Sequence, residues 1–295
     1  MAGVRMHADE FEADADLVSR LLTRQFPQWA DLPLEPVASA GTDNALFRLG
    51  AQMVVRLPRI LWAVDNVNRE QEWLPHLAPL LPVAIPTPLG LGEPDEGYPW
   101  RWSVYEWLDG DNPVLNKIVD PISLAKDLAH FVKALRKIDT PGAPLAGRGV
   151  PLQERDADTR AAIVALTGMI DSTAVTNAWE SALAVPMWSG PPVWIHGDIS
   201  PGNILLVAGR LNSVIDFGVM GIGDPACDLI VAWNLLPASA REVFRSESQV
   251  DDSTWKRGRG WALSIALIQL PYYFQTSPAI AENARHVISE VLANH

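Results

Sequence analysis

His196, Asp198, Asn203 and Asp216 stand at short intervals around a hairpin signal. Residues 204–207 and 211–215 are apolar runs joined by a turn at Ala208-Gly209, which predicts two paired strands. Paired strands lie roughly 5 Å apart, so their open ends bring Asn203 and Asp216 to one point. A carboxylate and an amide oxygen, with room left for water and phosphate, suit Mg²⁺. Asp198 precedes Asn203 in the same polar loop, and its carboxylate can take a proton from a hydroxyl. Base, metal pair and loop form a set fitted to phosphoryl transfer. Singly, each residue has a plainer reading: His196 as a structural histidine, Asp198 as a turn residue, Asp216 as a strand-end cap. A hydrolytic metal site would want more histidine, and the 6 present form no His-Glu-x-x-His spacing.

The run His196-Gly197-Asp198, then Asn203, then Asp216-Phe217-Gly218 resembles the catalytic and metal-binding loops of protein kinases, with Gly where those usually carry Arg. Together with Asp224-Pro225-Ala226-Cys227-Asp228-Leu229 and a Trp-rich tail, the chain resembles the aminoglycoside phosphotransferase family, from Gly41 to the final helix. The resemblance implies an α+β, two-lobed protein-kinase-like fold. Residues 1–108 would be a small antiparallel-sheet lobe holding nucleotide. Residues 109–295 would be a larger, mainly helical lobe with the catalytic loop and the acceptor site. It implies a kinase, a phosphotransferase with an alcohol group as acceptor, moving the γ-phosphoryl group of ATP or GTP, with Mg²⁺, to an aminoglycoside-like hydroxyl. Asp198 would be catalytic, and Asn203 and Asp216 would hold the metal. His196 and Asp228 would support the loop from within. Asp224 would do the same, line the acceptor site, or simply start a helix.

The same resemblance assigns the nucleotide side. Gly41 and Thr42, in the turn Gly41-Thr42-Asp43-Asn44, would cover the phosphates. A cation is needed on the third strand, yet no lysine precedes Lys117, so the role falls to Arg56, with Arg59 next in line. Glu70 would pair with Arg56, being on the inward stripe four residues before Leu74, whereas Glu72 points elsewhere. Glu106, Trp107 and Leu108, after Tyr105, would form the hinge whose backbone binds adenine.

These residues need elements to carry them. The spacing predicts a helix over 10–26, strands over 36–40, 45–49 and 52–57 with a tight turn at Gly50-Ala51, and a helix over 64–80 kinked or ended by Pro75. Strands are expected near 89–92 and over 102–108, then a linker near 108–112. Beyond it come a helix over 124–138, one or two helices within 153–184, and helices from Asp224 onward.

Composition sets the frame. The 295 residues are 48% hydrophobic, enough for a sizeable core in one or two domains. The net charge is -12, with no basic run, which argues against nucleic acid and anionic membranes. Acidity suits a polycationic acceptor, but it is read first as a solvated surface. Residues 1–108 hold 15 acidic and 8 basic side chains, all arginine, so the excess sits mainly where an anionic nucleotide is expected. One cysteine, Cys227, excludes an internal disulfide and reads as a small buried apolar residue. No signal peptide is visible and the greasy stretch 261–274 is too mixed to span a bilayer, so a cytoplasmic location is expected. Acceptor contacts are sought among Glu154, Asp156, Asp158, Asp251, Asp252, Glu282 and Glu290. Two alternatives stay open: a kinase of the same fold acting on a macrolide or on a metabolite such as choline or homoserine, and a catalytically silent nucleotide-binding protein. A role in antibiotic resistance follows from the resemblance alone.

Overall fold

The computed structural model describes residues 10–37, 43–115 and 117–293. The first helix, α1 (Ala15–Gln25), starts where Asp14 turns extended and accepts the Leu17 N–H at 2.8 Å. That cap corrects the start expected at 10. Five strands follow, broken by one helix: β1 (Leu34–Pro36), β2 (Asn44–Leu49), β3 (Met53–Pro58), α2 (Val64–Leu77), β4 (Pro88–Gly92) and β5 (Trp102–Glu106). They make one antiparallel sheet in the order β1-β2-β3-β5-β4. The first strand lies earlier than 36–40, because Leu34 pairs with Leu49 and Pro36 with Phe47. Residues 38–42, which include Gly41 and Thr42, lie outside the described residues. Pro75 does not end α2. It sits in the last turn, where its missing N–H removes one bond, and the helix runs on to Leu77 before a 3₁₀ turn.

The inner face of α1 (Leu17, Val18, Leu21, Leu22) packs on Phe47, Leu49, Val55, Leu57, Trp102 and Val104, which forms a compact core for this half. The larger half holds α3 (Pro121–Arg136), α4 (Asp156–Ala165), α5 (Ser172–Leu183), β6 (Val193–Ile195), β7 (Ile204–Val207), β8 (Arg210–Val214), β9 (Gly221–Gly223), α6 (Val231–Asn234), α7 (Ala238–Ser248), α8 (Asp252–Tyr273) and α9 (Pro278–Ala293). The stretch 153–184 thus contains two helices. The hairpin is β7 with β8, as the apolar runs predict. A second ladder, β6 with β9, brackets residues 196–220, and no local pattern in the sequence predicts it. Leu74 and Leu77 of α2 and Tyr105 of β5 belong to the large core, so the two halves share buried surface.

The linker is fastened to the hairpin. Asp111 and Leu206 exchange backbone bonds of 3.0 and 2.9 Å. The Asn112 amide donates to the carbonyls of Pro201, Gly202 and Ile204. Gly110 has φ +139, and a Cβ there would meet Leu205 and the Leu206 carbonyl at 3.0 Å. No helix among the described residues is long and apolar enough to cross a membrane.

Cys227 is fully buried, and burial pushes its thiol well above the ordinary range. A thiol reagent such as dithionitrobenzoate is therefore expected to label the native protein only after denaturant is added; fast native labelling would contradict this placement.

Candidate active site

The loop that carries His196 and Asp198 follows β6 and ends at the mouth of the β7–β8 hairpin. Its core is His196, which is fully buried. His196 Nε2 lies 3.0 Å from the Ile215 carbonyl, which can only accept, so Nε2 carries the hydrogen. The bare Nδ1 then accepts the Asp198 N–H at 3.1 Å. The ring also meets Phe217 edge-on at 4.5 Å. His196 thus braces both ends of the site and touches no open space.

Asp228, also fully buried, accepts the N–H groups of His196 at 2.9 Å and Gly197 at 2.7 Å. Burial pushes its carboxyl above the usual range, against the pull of those two amides. Truncating it strands two buried donors. We expect Asp228→Ala to cost about 3 kcal/mol and to lower Tm by roughly 5–10 °C in a thermal melt. An unchanged melt would refute the bracing role. Gly197 has φ +83, and a Cβ would meet Val219 at 3.2 Å, which explains glycine where protein kinases carry arginine.

Asp198 projects from this braced loop. Asn203 Nδ2 donates to its carbonyl at 2.9 Å and to its Oδ2 at 3.2 Å. With the Asn203 amide nitrogen committed, its oxygen is left for another partner. The Ile215 N–H donates to the Asn203 carbonyl at 2.9 Å, so the hairpin mouth puts Asn203 next to Asp216. Asp216 has φ +61, a left-handed conformation that an aspartate tolerates and most residues do not. Among the described residues, no three His, Cys, Asp or Glu side chains gather as a metal cluster. Two hard oxygen donors with open space match a cation that takes its remaining ligands from phosphate and water, so these residues fit Mg²⁺.

Arg56, on β3, reaches the same point from the sheet. Its Nη1 donates to both Glu70 oxygens at 2.7 Å, and its Nη2 to Asp216 Oδ1 at 2.6 Å. The Asn44 amide oxygen, turned toward Arg56, accepts from Nη2 at 2.9 Å and Nε at 3.1 Å. Burial pulls the guanidinium down, but Glu70 and Asp216 outweigh it and hold the charge firmly in place. Desolvation likewise works against the Asp216 carboxylate, and Arg56 overrides it to hold that group below the usual range. Glu70 is 1% exposed and also accepts the Tyr105 hydroxyl at 2.6 Å, whereas Glu72 is exposed. Arg59 is engaged instead with Glu10 at 3.0 Å. Arg69 of α2 donates to the carbonyls of Gly218 and Met220, clasping the loop after Asp216.

At the hinge, the Glu106 N–H already donates to Thr87 and the Trp107 N–H to Gln52. The Leu108 backbone has no hydrogen bond among the described residues. The Trp107 ring lies under Arg48 at 4.2 Å and donates to Asp109. Of the acceptor candidates, Asp156 binds Arg160 and Trp179, Asp251 caps α8, Asp252 pairs with Arg245, and Glu290 pairs with Arg241. Asp224 is consumed too: it caps Ala226 and forms a buried pair with Arg257 at 2.7 Å. Glu154, Asp158 and Glu282 are exposed. A cavity of about 110 Å³ lies between Gly149, Pro151, Trp188 and Asp224. A larger hollow of about 610 Å³, on the α3 surface by His130, Lys133 and Lys137, shares no residue with the site.

Sequence reasoning missed three arginines at or near the site, Arg69, Arg257 and, most directly placed, Arg148. Arg148 donates to the Asp198 carboxylate and, at 3.2 Å, to the Gly197 carbonyl. It lies in a Pro/Gly loop far from Asp198 in sequence, with no motif to flag it. Tyr105 and Asn44 were near the assigned positions, but only the register reveals what they touch.

The model of the phosphotransferase enzyme family known as APH matches residues 34–261. The chain belongs to this family. Within APH, an aminoglycoside 3'-phosphotransferase of Escherichia coli is 41% identical over 60 residues, 20% of this chain and 22% of that protein. A Salmonella typhimurium aminoglycoside 3'-phosphotransferase is 32% identical over 75 residues, 24% of this chain and 28% of that one. The chain thus spans under a third of these curated relatives in alignment. Whole-chain likeness comes from solved structures. The GDP and kanamycin complex of an aminoglycoside 2''-phosphotransferase superposes with TM-score 0.77 at 20% identity, covering 94% of this chain and 99% of that one. A macrolide 2'-phosphotransferase from Brachybacterium faecium gives TM-score 0.63 at 23% identity, covering 93% and 97%. Both confirm the APH fold: a five-stranded antiparallel sheet followed by a mainly helical remainder.

Proposed function

We propose that this APH-family chain is a small-molecule kinase that transfers the γ-phosphoryl group of ATP or GTP to a hydroxyl of an aminoglycoside-like acceptor. The observation that carries this is the meeting of Asp198, Asn203, Asp216 and the Arg56–Glu70 pair at one hairpin mouth. Residues 1–108 form the nucleotide lobe, with Arg56 on the phosphates and Leu108 offering backbone to the base. Residues 109–295 form the catalytic and acceptor lobe. The location is cytoplasmic, and neither nucleic acid nor membrane takes part.

Asp198 orients the acceptor hydroxyl and takes its proton as the oxygen attacks phosphorus in line. The new O–P bond forms as the bond to the β-phosphate oxygen breaks, and the electron pair leaves with the nucleoside diphosphate. Arg56, fixed by Glu70, exchanges its contact with Asp216 for α- and β-phosphate oxygens. Asn203 and Asp216 would hold Mg²⁺, which supplies charge neutralisation to the phosphates when bound. No covalent enzyme intermediate is needed, because positioning and electrostatics suffice.

Solved relatives carry GDP with kanamycin, streptomycin with ATP, and ADP, which supports a nucleotide and a small acceptor here. The macrolide enzymes among them keep a macrolide acceptor in the comparison. The deciding experiment is a thermal-shift measurement with Mg-ATP and Mg-GTP, then a coupled nucleotidase assay across aminoglycosides, macrolides and amino alcohols. We expect stabilisation by a nucleotide and turnover with one acceptor class. Binding without turnover would favour the silent alternative, and no nucleotide binding would overturn the proposal. Turnover of an aminoglycoside would place the protein in antibiotic resistance.

A further inference from the structure

We propose that Arg148 carries positive charge into the transfer step itself: one nitrogen holds Asp198, and its remaining donors take an oxygen of the transferring phosphoryl group. This rests on the kinase reading of Asp198. The first half is direct geometry. Nη1 bonds the Asp198 carboxylate and the Gly197 carbonyl, while Asn203 holds the other carboxylate oxygen. The base is therefore gripped from both sides.

The second half follows from what the guanidinium has left over. Among the described residues, no protein atom accepts from Nε or Nη2, and neither nitrogen is a sealed, orphaned donor. The side chain keeps 24% exposure, so these donors meet open space beside the base. They differ in this from Arg56, whose every nitrogen is engaged by Glu70, Asp216 or Asn44. Asp198, and more weakly Asp216, favour the charged form of Arg148 against its burial.

The loop delivering Arg148 is rigid. Gly147 N–H donates to Val219 at 3.0 Å, and Asp224 N–H donates to Gly149 at 2.9 Å. Gly149 has φ +86, and a Cβ there would collide with the Ile195 side chain. Both neighbours of Arg148 are thus pinned to the residues that flank β9. A planar guanidinium can serve two anions through separate edges, which an ammonium cannot do in a fixed plane. An acceptor hydroxyl on Asp198 must bring a carboxylate and a phosphoryl group together, and like charges in a partly dry cleft oppose that approach. A cation touching both relieves it where the equatorial oxygens gain charge. Arg148 gives and takes no proton; the hydroxyl proton goes to Asp198, and the bonds made and broken are those of the transfer above.

The test compares affinity for Mg·ADP with affinity for Mg·ADP plus aluminium fluoride, a mimic of the phosphoryl group in flight, by calorimetry on wild type, R148Q and R148K. We expect R148Q to lose about tenfold or more of its affinity for the mimic, the size of one charge-assisted hydrogen bond. Its Mg·ADP affinity should stay within about twofold, since that complex lacks the group being contacted. R148K should recover only part of the loss, and millimolar guanidinium should restore mimic binding to R148A. Equal mimic affinity in R148Q, a parallel loss of Mg·ADP affinity, or full replacement by lysine would each overturn the proposal. Melting curves of R148K, the gentler change, guard against misfolding. Failure of the kinase reading would show in wild type, as no Mg·ADP binding or as nucleotide binding without turnover of any acceptor; failure of this proposal shows only in the variants.

Discussion

Replacing Asp198 by asparagine should lower turnover with any verified acceptor by about 10²–10⁴-fold while leaving Mg-nucleotide affinity nearly unchanged. The substitution keeps the shape of the side chain and an oxygen for Arg148, yet removes the carboxylate proposed to take the proton. The loop should stay in place, because its supports are elsewhere. His196 is tied to Ile215, and Asp228 holds the N–H groups of His196 and Gly197. Thermal melts and single-turnover rates on the same preparation separate the two effects. Full turnover in the variant would remove Asp198 from the chemistry.

Asp216→Ala is the second large effect, and it should appear in binding first. Asp216 is the one carboxylate at the hairpin mouth whose backbone is held left-handed, and Asn203 offers only a neutral oxygen. Without Asp216 the proposed metal site keeps one protein ligand, too few to place a hard divalent cation. We expect Mg-nucleotide affinity to fall by about tenfold or more in calorimetry, with the residual binding insensitive to added Mg²⁺. Arg56 would remain anchored by Glu70, so metal-free nucleotide should bind the variant no worse than wild type. Unchanged Mg-nucleotide affinity would defeat the metal assignment.

The hairpin and its four polar residues were readable because local rules govern them. Two short apolar runs and a Gly turn define two strands, and paired strands dictate where Asn203 and Asp216 meet. The choice of Glu70 over Glu72 was readable from the resemblance together with helical spacing, which separates the inward face from the outward one. What failed was long-range. The β6–β9 ladder joins segments that each look like loop, with glycines in β9, and nothing local announces the pairing. Arg148 sits in a connection of no fixed period, and its meeting with Asp198 depends on that same ladder. The hinge amides were assigned by resemblance, while the register of β3 and β5 decides that Trp107 is already bonded to Gln52. Pro75 misled because a proline near a helix end removes too little to stop it.

The cation on β3 is an arginine, in a chain whose first 116 residues contain no lysine. That swap has a consequence for chemical proteomics. Nucleotide esters that tag ATP sites by acylating a nearby side-chain amine would find none on this sheet, so surveys built on that chemistry would score the protein as inactive. A dicarbonyl such as phenylglyoxal, which condenses with guanidinium groups, is the reagent suited to report this site, with protection by nucleotide as the readout.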